Sequence, residues 1–549
     1  LFKGDSLILI KETSSLLREA LVKIGKKSGV KQLPNPYLEI PDETRHGDLS
    51  TNVALQLARE TGLPPLRIAE DIVELIRSPI FIRIEVAPPG FINFFFKPEI
   101  FHPIVNQIIK EEGYYGCSNF GEGKRVLLEF VSANPTGPLT VAHGRHAAVG
   151  DAIARILRMA GYAVVKEYYF NDSGRQMELL GKSLYARYKE VSGVKVDFPE
   201  DGYCGEYLKE LAQKITNDEA KEDIGFFSSF AEERIFAGIR EDLSEFRVDF
   251  DSWVKEKDFY KSGAVDRVIE ELRKIGEVYE EEGALWLRSS SFGDEKDRVI
   301  RRGNEEPTYV ASDIAYHHQK YERGFDLLID LFGPDHHGYS PRLWAALAAL
   351  GHDRKKLKII IVQLVSLYRG KEKMPMSTRK GEFVTLRQVL DEVGGDVARF
   401  FFLMRKTDSH LNFDIELAKS ESLENPVYYV QYAHARSASI MKVAQENAIE
   451  IGEEVDLSFL REEEEIAMMK KLAQFPDVIT GCAKNVEPQP VTVYLRDLTK
   501  VFHSYYNHFR VINPDNRELT QARLRLVKAV KTVIANGLNL LGISPSEKM

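Results

Sequence analysis

Two segments of the chain carry residue types that can handle a polyphosphate. The first runs Glu129-Phe-Val-Ser-Ala-Asn-Pro-Thr-Gly-Pro-Leu-Thr-Val-Ala-His-Gly-Arg-His146. Residues 125–131 read as a strand, 134–138 as a proline- and glycine-rich loop, and a helix is expected from near His143 toward Ala160. Strand, glycine-bearing loop and helix open a nucleotide-binding unit, because helix-start amides form an anion site that histidines or hydroxyls can supplement. Taken alone, the segment reads equally well as a proline-rich turn capped by a helix. The second segment is Lys373-Met-Pro-Met-Ser-Thr-Arg-Lys-Gly-Glu-Phe-Val-Thr-Leu386. Such a loop of cations, hydroxyls and glycine can fold over a polyphosphate and stabilise transition-state charge. Its plainer reading is a solvated basic loop. Glu129 stands apart, since a carboxylate inside an apolar strand is costly unless paired.

The elements around these segments suggest how they are held. Residues 1 to about 110 look like a small α/β unit, with helical patterns at 6–26 and 49–60 and strand-like alternation over 81–96 around Pro88-Pro89-Gly90. The glycine-rich stretch 113–123 reads as a linker. A strand is expected at 164–170, then a charged, helix-rich region over 180–274. Residues 325–332 and 357–367 read as buried parallel strands joined by a helix at 341–350. After Asn425 the pattern is helical: 427–443, 459–472, 491–511 and 519–540 form apolar faces suited to a bundle. In the last of these regions Arg517, Arg523, Arg525, Lys528 and Lys531 read either as a phosphate-facing helix or as a plain solvated face.

Composition bounds the function. A chain of 549 residues exceeds one hydrophobic core, so several domains are expected. No run of eighteen apolar residues occurs; the most apolar window, 357–367, is broken by Lys358, Gln363 and Ser366, so no membrane span is expected. No basic start with an apolar core and cleavage site is visible, which favours a cytoplasmic protein. Cys117, Cys204 and Cys482 lie far apart and read as buried free thiols of a reducing compartment. With no HExxH and no spaced Cys/His set, no structural metal is expected. A formal charge of −9 argues against a protein coated in nucleic acid, but not against a local basic surface.

A proline-glycine helix entry and a later Met-Ser loop on either side of a split nucleotide-binding fold resemble the class I aminoacyl-tRNA synthetases, with their HIGH-type and KMSK-type motifs. The closer resemblance is to the arginyl-tRNA synthetases and covers nearly the whole chain. It rests on EFVSANPTGPL (129–139), EYYFNDSGRQ (167–176), FGDEKDRVIRR (292–302), TYVASDIAYH (308–317), GPDHHGY (333–339), MSTRKGEFVTL (376–386) and NPVYYVQYAHAR (425–436), in order, with GDLSTNVALQLA (47–58) and the ending SPSEKM (544–549). Two departures stand out. The HIGH-type tetrapeptide reads Thr140-Val141-Ala142-His143, so the first histidine is a hydroxyl and the glycine gains a methyl. A register three residues later, His143 to His146, has histidine at both ends, but the preceding Asn-Pro-Thr-Gly-Pro-Leu favours the first. The KMSK-type loop ends in Arg379, which keeps the charge and adds donors.

The resemblance implies a multidomain α/β architecture: an N-terminal tRNA-contacting α/β domain (1–115), a Rossmann-type parallel-sheet catalytic domain (120–425) split by an insertion at about 182–290, and an all-α anticodon-binding bundle (426–549). It implies an arginine–tRNA ligase that uses L-arginine, ATP and tRNA(Arg), with Mg2+ carried on the nucleotide, no membrane, and a monomer. Family members need bound tRNA before activating the amino acid, and the same is expected here. Thr140, His143, Ser377, Arg379 and Lys380 would act on the phosphates; Gly144, His336 and Met376 would join Thr140, His143 and Ser377 around ATP. Tyr309 and Asp313 would meet the guanidinium, with Glu129, Ser132 and Asn134 on the α-amino and carboxylate groups. His337 is assigned to arginine, although the sequence does not choose between His336 and His337. Asp172 and Gln176 are weaker candidates. Tyr428, Tyr432 and Arg436, together with Tyr429 and His434, and the terminal Met549, would face tRNA, although tyrosines at helical spacing serve equally as packing. Two rival readings are a class I synthetase for another amino acid, such as cysteine, and an RNA-binding paralogue without turnover.

Overall fold

The computed structural model describes residues 6–28, 30, 32–41, 43–216, 223–336, 338–374, 383–452 and 454–549. In the N-terminal unit, α1 (Ser6–Ser28) buries Leu17, Leu21 and Ile24 at helical spacing. Residues 49–60, expected as one helix, divide into β1 (Leu49–Thr51) and α2 (Val53–Thr61). Buried hydroxyls explain the split: Ser50 Oγ donates to Asn93 Oδ1 at 2.8 Å and Thr51 Oγ1 to the Tyr37 carbonyl at 2.7 Å, which holds this stretch extended. After α3 (Pro65–Leu75) come β2 (Phe81–Ala87) and β3 (Phe91–Phe96), giving an antiparallel sheet in the order β1-β3-β2. Helix α4 (His102–Glu111) leads to the central domain.

The central domain is built on five parallel strands, ordered β11-β10-β4-β5-β6. They are β4 (Arg125–Glu129), β5 (Ala163–Phe170), β6 (Ser252–Lys255), β10 (Leu327–Phe332) and β11 (Leu357–Ile361). Helix α5 (Val141–Met159) joins β4 to β5; its Gly150 lets the Phe130 ring close against it, and a methyl there would overlap that ring. The stretch 182–290 is not wholly outside the sheet. Helices α6 (Arg175–Val191), α7 (Glu206–Gln213) and α8 (Ile224–Glu245) are inserted, but β6 then returns to pair with β5. Its four half-buried residues give no apolar run; Trp253, stacked on Tyr168 at 4.7 Å, anchors it. Beyond it lie α9 (Glu256–Lys261), α10 (Ala264–Lys274) and a small sheet of β7 (Val278–Glu281), β8 (Ala284–Leu287) and β9 (Arg298–Arg301). Helix α11 (Tyr309–Glu322) precedes β10, and α12 (Ser340–Ala349) follows it.

The run 357–367 is also corrected. Only β11 joins the main sheet; β12 (Val365–Arg369) pairs with β13 (Glu372–Lys373) and β14 (Leu411–Asp414) in a separate sheet. The turn between them is set by the fully buried Arg145 of α5, whose guanidinium donates to the carbonyls of Gln363 (2.8 Å), Ser409 (2.9 Å) and Lys406 (2.9 Å). Helices α13 (Leu386–Val393), α14 (Gly395–Leu403) and α15 (Ile415–Lys419) surround this sheet. The C-terminal bundle contains α16 (Pro426–Glu446), α17 (Glu463–Asn485), α18 (Gln489–His508) and α19 (Arg517–Leu540). Buried Asn425 caps α16 through Val427 N at 3.1 Å, with Pro426 at the first helical position. Fully buried Arg399 of α14 ties the parts together, donating to Phe246 O (2.7 Å), Leu541 O (2.8 Å) and the Asp151 carboxylate of α5.

Of the three cysteines expected as buried thiols, Cys482 is buried, Cys117 half-buried and Cys204 exposed. Among the described residues no helix is long and apolar enough to cross a membrane.

Candidate active site

The C-terminal end of the central strand β4 forms the floor of a crevice, where open α/β sheets bind ligands. Directly beyond Glu129 the backbone turns sharply, with Val131 and Ser132 at φ 67° and 41°. Ser132 Oγ stabilises this turn, donating to Glu129 Oε1 at 2.8 Å and accepting from Tyr169 N at 3.1 Å. The Glu129 carboxylate is buried and internally paired: Oε2 accepts from Tyr316 Oη at 3.0 Å and from Lys320 Nζ. Lys320 Nζ also donates to Asp330 Oδ1 at 2.7 Å, and His317 bridges Asp330 Oδ2 (3.0 Å) and the Asp313 carbonyl (2.8 Å). Burial alone would push the Asp330 carboxyl up, but Lys320 and His317 outweigh it and hold it low. Glu129, His317 and Asp330 have metal-ligand chemistry, but Lys320 donates to both carboxylates, so an ammonium does the work of a cation there.

The mouth of the crevice differs. Tyr309 opens α11 with 60% of its surface exposed, and Asp313 lies one turn on. Burial pushes the Asp313 carboxyl up to about 6, although Tyr339 Oη donates to it and His317 lies near. Beside it is Glu256, the first residue of α9 and only 2% exposed. Its oxygens accept from the hydroxyls of Ser312 (2.6 Å) and Ser173 (2.5 Å). Among the described residues neither Asp313 nor Glu256 has an ion-pair partner. The Tyr169 ring stacks on Tyr316 at 4.2 Å, and its buried hydroxyl has no partner among the described residues. Glu256 and Tyr169 escaped sequence reasoning, because an acid at a helix start reads as a dipole partner. Only its burial without a cation marks it.

On the other side of β4, the nucleotide half is assembled from distant segments. Thr140 begins α5, and its N–H donates to His143 Nδ1 at 3.1 Å. Residues 139–141 lie antiparallel to 384–386, bridged Thr140 to Thr385, with Val141 N to Val384 O at 3.2 Å and Leu386 N to Leu139 O at 2.7 Å. The start of α5 and the end of the cationic loop are thus one structural unit. Thr385 holds its side of that unit by a capping box with Gln388. Met376, Ser377, Arg379, Lys380 and His337 lie outside the described residues. Burial lowers His143 to about 4 against the pull of Asp335, and lowers buried His146 to about 3 with help from His143 and Arg145. His146 Nδ1 has no hydrogen-bond partner among the described residues. The missing side chain of Gly144 serves packing, since a methyl would meet Leu386 Cδ1 at 2.7 Å. His336 is exposed, its ring against Phe332 and Tyr339. Asn134 is exposed and donates to Gln176 Oε1 at 2.9 Å, while buried Asp172 pairs with Lys257.

In the bundle, Tyr428, Tyr432 and Arg436 share one half-buried stripe of α16. The two tyrosines stack with centroids 6.0 Å apart, and the Arg436 guanidinium lies over the Tyr432 and Tyr506 rings at 4.5 and 4.3 Å. His434 is buried and bonds the Ser546 carbonyl at 2.8 Å, fastening a tail whose Met549 is exposed. Three of the five basic residues of α19 are engaged: Arg523 is buried on Glu465, Arg525 bonds Asn106 and Gly452 O, and Lys531 pairs with Glu547.

Known proteins share these features. Residues 11–96 match the arginyl-tRNA synthetase N-terminal domain, 104–411 the class I (R) tRNA synthetase catalytic domain, and 430–549 the DALR anticodon-binding domain. Arginine–tRNA ligases of Syntrophotalea carbinolica and Desulfosudis oleivorans are each 48% identical, over 94% and 98% of this chain and 95% and 100% of those proteins. The Thermus thermophilus arginyl-tRNA synthetase structure has the same fold, with a TM-score of 0.77 at 24% identity over 98% of this chain and 100% of that one. A catalytic-domain match spanning more than half the chain, near-full-length relatives at 48% identity and a parallel sheet with an acidic crevice at its strand ends lead to one conclusion: the chain belongs to the arginyl-tRNA synthetase family of class I aminoacyl-tRNA synthetases.

Proposed function

We propose that the chain is an ATP-dependent arginine–tRNA ligase, and that the observation carrying its specificity is the pair Asp313 and Glu256, two enclosed carboxylates with no ion-pair partner among the described residues. A guanidinium is planar, permanently charged and rich in donors, so it can bridge two carboxylates that an ammonium would pair less completely. Citrulline, lacking the charge, would leave both carboxylates uncompensated, and this supports discrimination at the binding step without an editing site. Tyr309 covers the guanidinium, while Glu129, Ser132 and Asn134 receive the α-amino and carboxylate groups.

In the first step an arginine carboxylate oxygen attacks the α-phosphorus of ATP, the bond to the bridging oxygen breaks, and pyrophosphate leaves. No side chain serves as a covalent nucleophile; positioning and charge stabilisation suffice. Because His143 Nδ1 accepts the Thr140 amide proton, a neutral ring carries its hydrogen on Nε2, ready to donate to phosphate or ribose. His146 and His336 line the same side. Ser377, Arg379 and Lys380, in the loop whose end at 384–386 pairs with the start of α5, cover the leaving pyrophosphate, and Met376 borders the nucleotide. Mg2+ bound to the nucleotide would neutralise part of the phosphate charge. In the second step a terminal ribose hydroxyl of tRNA(Arg), the 2′ by class I resemblance, attacks the adenylate carbonyl and AMP leaves. Tyr428, Tyr432, Arg436 and Met549 face the tRNA, whose binding precedes activation. We take the protein to be a monomer, and sedimentation of the purified protein tests that. We place the reaction in the cytoplasm.

The deciding experiment charges total tRNA with each of twenty labelled amino acids in ATP and magnesium. Arginine alone should become acid-precipitable, and Asp313→Ala and Glu256→Gln should each abolish it. Label from another amino acid would overturn the pocket assignment; tRNA binding without any charging would favour a paralogue that has lost turnover.

A further inference from the structure

Helix α11 carries more than the guanidinium end of the pocket. Tyr309 and Asp313 lie on its first turns; Tyr316 and Lys320 lie on its following turns, one helical step apart on one face. Both of the latter are buried and both donate to the same oxygen of Glu129, while Ser132 Oγ engages the other. Lys320 is itself held, by Asp330 at 2.7 Å and with its ammonium 4.3 Å from the centre of the Tyr316 ring. Tyr316 is held by Tyr169 stacked on one face and by Phe259 at its edge. Its hydroxyl oxygen, with a single proton, lies 3.0 Å from both Glu129 Oε2 and Glu167 Oε1, and Arg323, which donates to both Glu167 oxygens, leaves that proton to Glu129.

We infer that Lys320 and Tyr316 are positioning residues for the α-amino subsite: by engaging Glu129 Oε2 they fix the carboxylate so that Oε1 presents its free lone pair to the substrate ammonium, and α11 thereby sets both ends of the arginine site. This rests on the reading of Glu129 as the α-amino acceptor. The argument is one of donor arithmetic. A carboxylate oxygen accepts about two hydrogen bonds; Oε2 already takes two and Oε1 takes one from Ser132. One acceptor position remains, on the oxygen whose other bond comes from the loop between β4 and α5. Without Lys320 the carboxylate would lose the one cation that pairs with it among the described residues and would be free to rotate. Because Asp313 and Lys320 are seven residues apart on one rigid helix, roughly 10 Å of axial rise separates the guanidinium and amino anchors and cannot change independently.

Steady-state aminoacylation at saturating ATP and tRNA tests this. Lys320→Met is expected to raise KM for arginine about tenfold or more, and Tyr316→Phe about threefold, with kcat and KM for ATP within about twofold of the parent. Lys320→Arg, which keeps the charge, restores most of the loss. The discriminating probe is 5-guanidinopentanoate, arginine without its amino group: its inhibition constant should be unchanged in both variants. Equal losses for arginine and for this analogue would reduce the pair to a structural role and overturn the inference. Should Lys320→Met fail to fold, Tyr316→Phe, which keeps the ring stack, decides alone: an unchanged KM for arginine overturns the proposal. Glu129→Gln separates the two levels. If it leaves KM for arginine unchanged, the underlying reading of Glu129 fails; if it raises KM while the Lys320 and Tyr316 variants do not, only the present inference fails.

Discussion

The floor and the mouth of the crevice are both acidic, and they treat their charges in opposite ways. On the floor, Glu129, Asp330 and Glu167 are matched by Lys320 and Arg323. At the mouth, Asp313 and Glu256 accept from hydroxyls and have no ion-pair partner among the described residues, and the Asp313 carboxyl is pushed up to about 6. A buried ion pair is largely satisfied by its own partners and holds a carboxylate in place, whereas an enclosed carboxylate without a counter-charge suits a cationic ligand. The two regions therefore suit different ends of a substrate: a fixed carboxylate with one acceptor position left on the floor, and uncompensated charge at the mouth.

The largest effect expected from breaking this contrast is at the mouth. Asp313→Asn keeps the shape and removes the charge, and should lower kcat/KM for arginine by about a thousandfold, read by aminoacylation. A self-satisfied centre should instead respond in stability. Arg399→Met leaves buried Asp151 with Arg155 and Lys166 but without its third cation and takes the donor from the Phe246 and Leu541 carbonyls, so a loss of about 3–5 kcal/mol in urea unfolding is expected. Between these lies packing beside the floor: Gly150→Ala drives a methyl into the Phe130 ring next to Glu129, at a cost of about 1–3 kcal/mol, with a raised KM for arginine and an unchanged KM for tRNA.

Acidity sharpens the comparison further. The folded Asp313 carboxyl, at about 6, keeps its proton above the ~3.9 of an unfolded chain. The folded state therefore gains from this group as pH falls from 6 toward 4, and ionising it above 6 costs stability. A bound guanidinium favours the ionised form, so the rise in Tm produced by saturating arginine should be larger at pH 7.5 than at pH 5.5. Asp313→Asn should remove that difference. The smallest effect is expected away from the crevice: Tyr432→Ala removes the ring under Arg436 and should raise KM for tRNA by about three- to tenfold, with KM for arginine unchanged.

Much of this molecule is legible in its residues. The strand, loop and helix of 125–159, the later parallel strand and the helical C-terminal region follow from apolar periodicity and turn residues, which are local properties. Motif order points to the family, and an acid in an apolar strand demands a partner. What the residues alone leave undecided depends on contacts across the chain. The break at Gln363 and Leu364 is held by Arg145, more than two hundred residues away, which claims the Gln363 carbonyl within it and the Ser409 carbonyl of a distant segment. The return of β6 to the sheet rests on Trp253 meeting Tyr168, and the engagement of Arg523 and Arg525 on Glu465 and Asn106 reaching them.

The sequence by itself singled out the segments proposed for the chemistry: the Thr140 to His143 helix entry and the cationic loop by residue type and near spacing, and the Tyr309 and Asp313 pair through the family resemblance of their motif. Only the tertiary structure decided which acids have a buried counter-charge and which do not. Glu129 and Glu256 look alike in sequence, one at a strand end and one at a helix start. Lys320 reaches the first, and no cation among the described residues reaches the second. Charge compensation acts through a few ångströms of space, and only folding sets those distances.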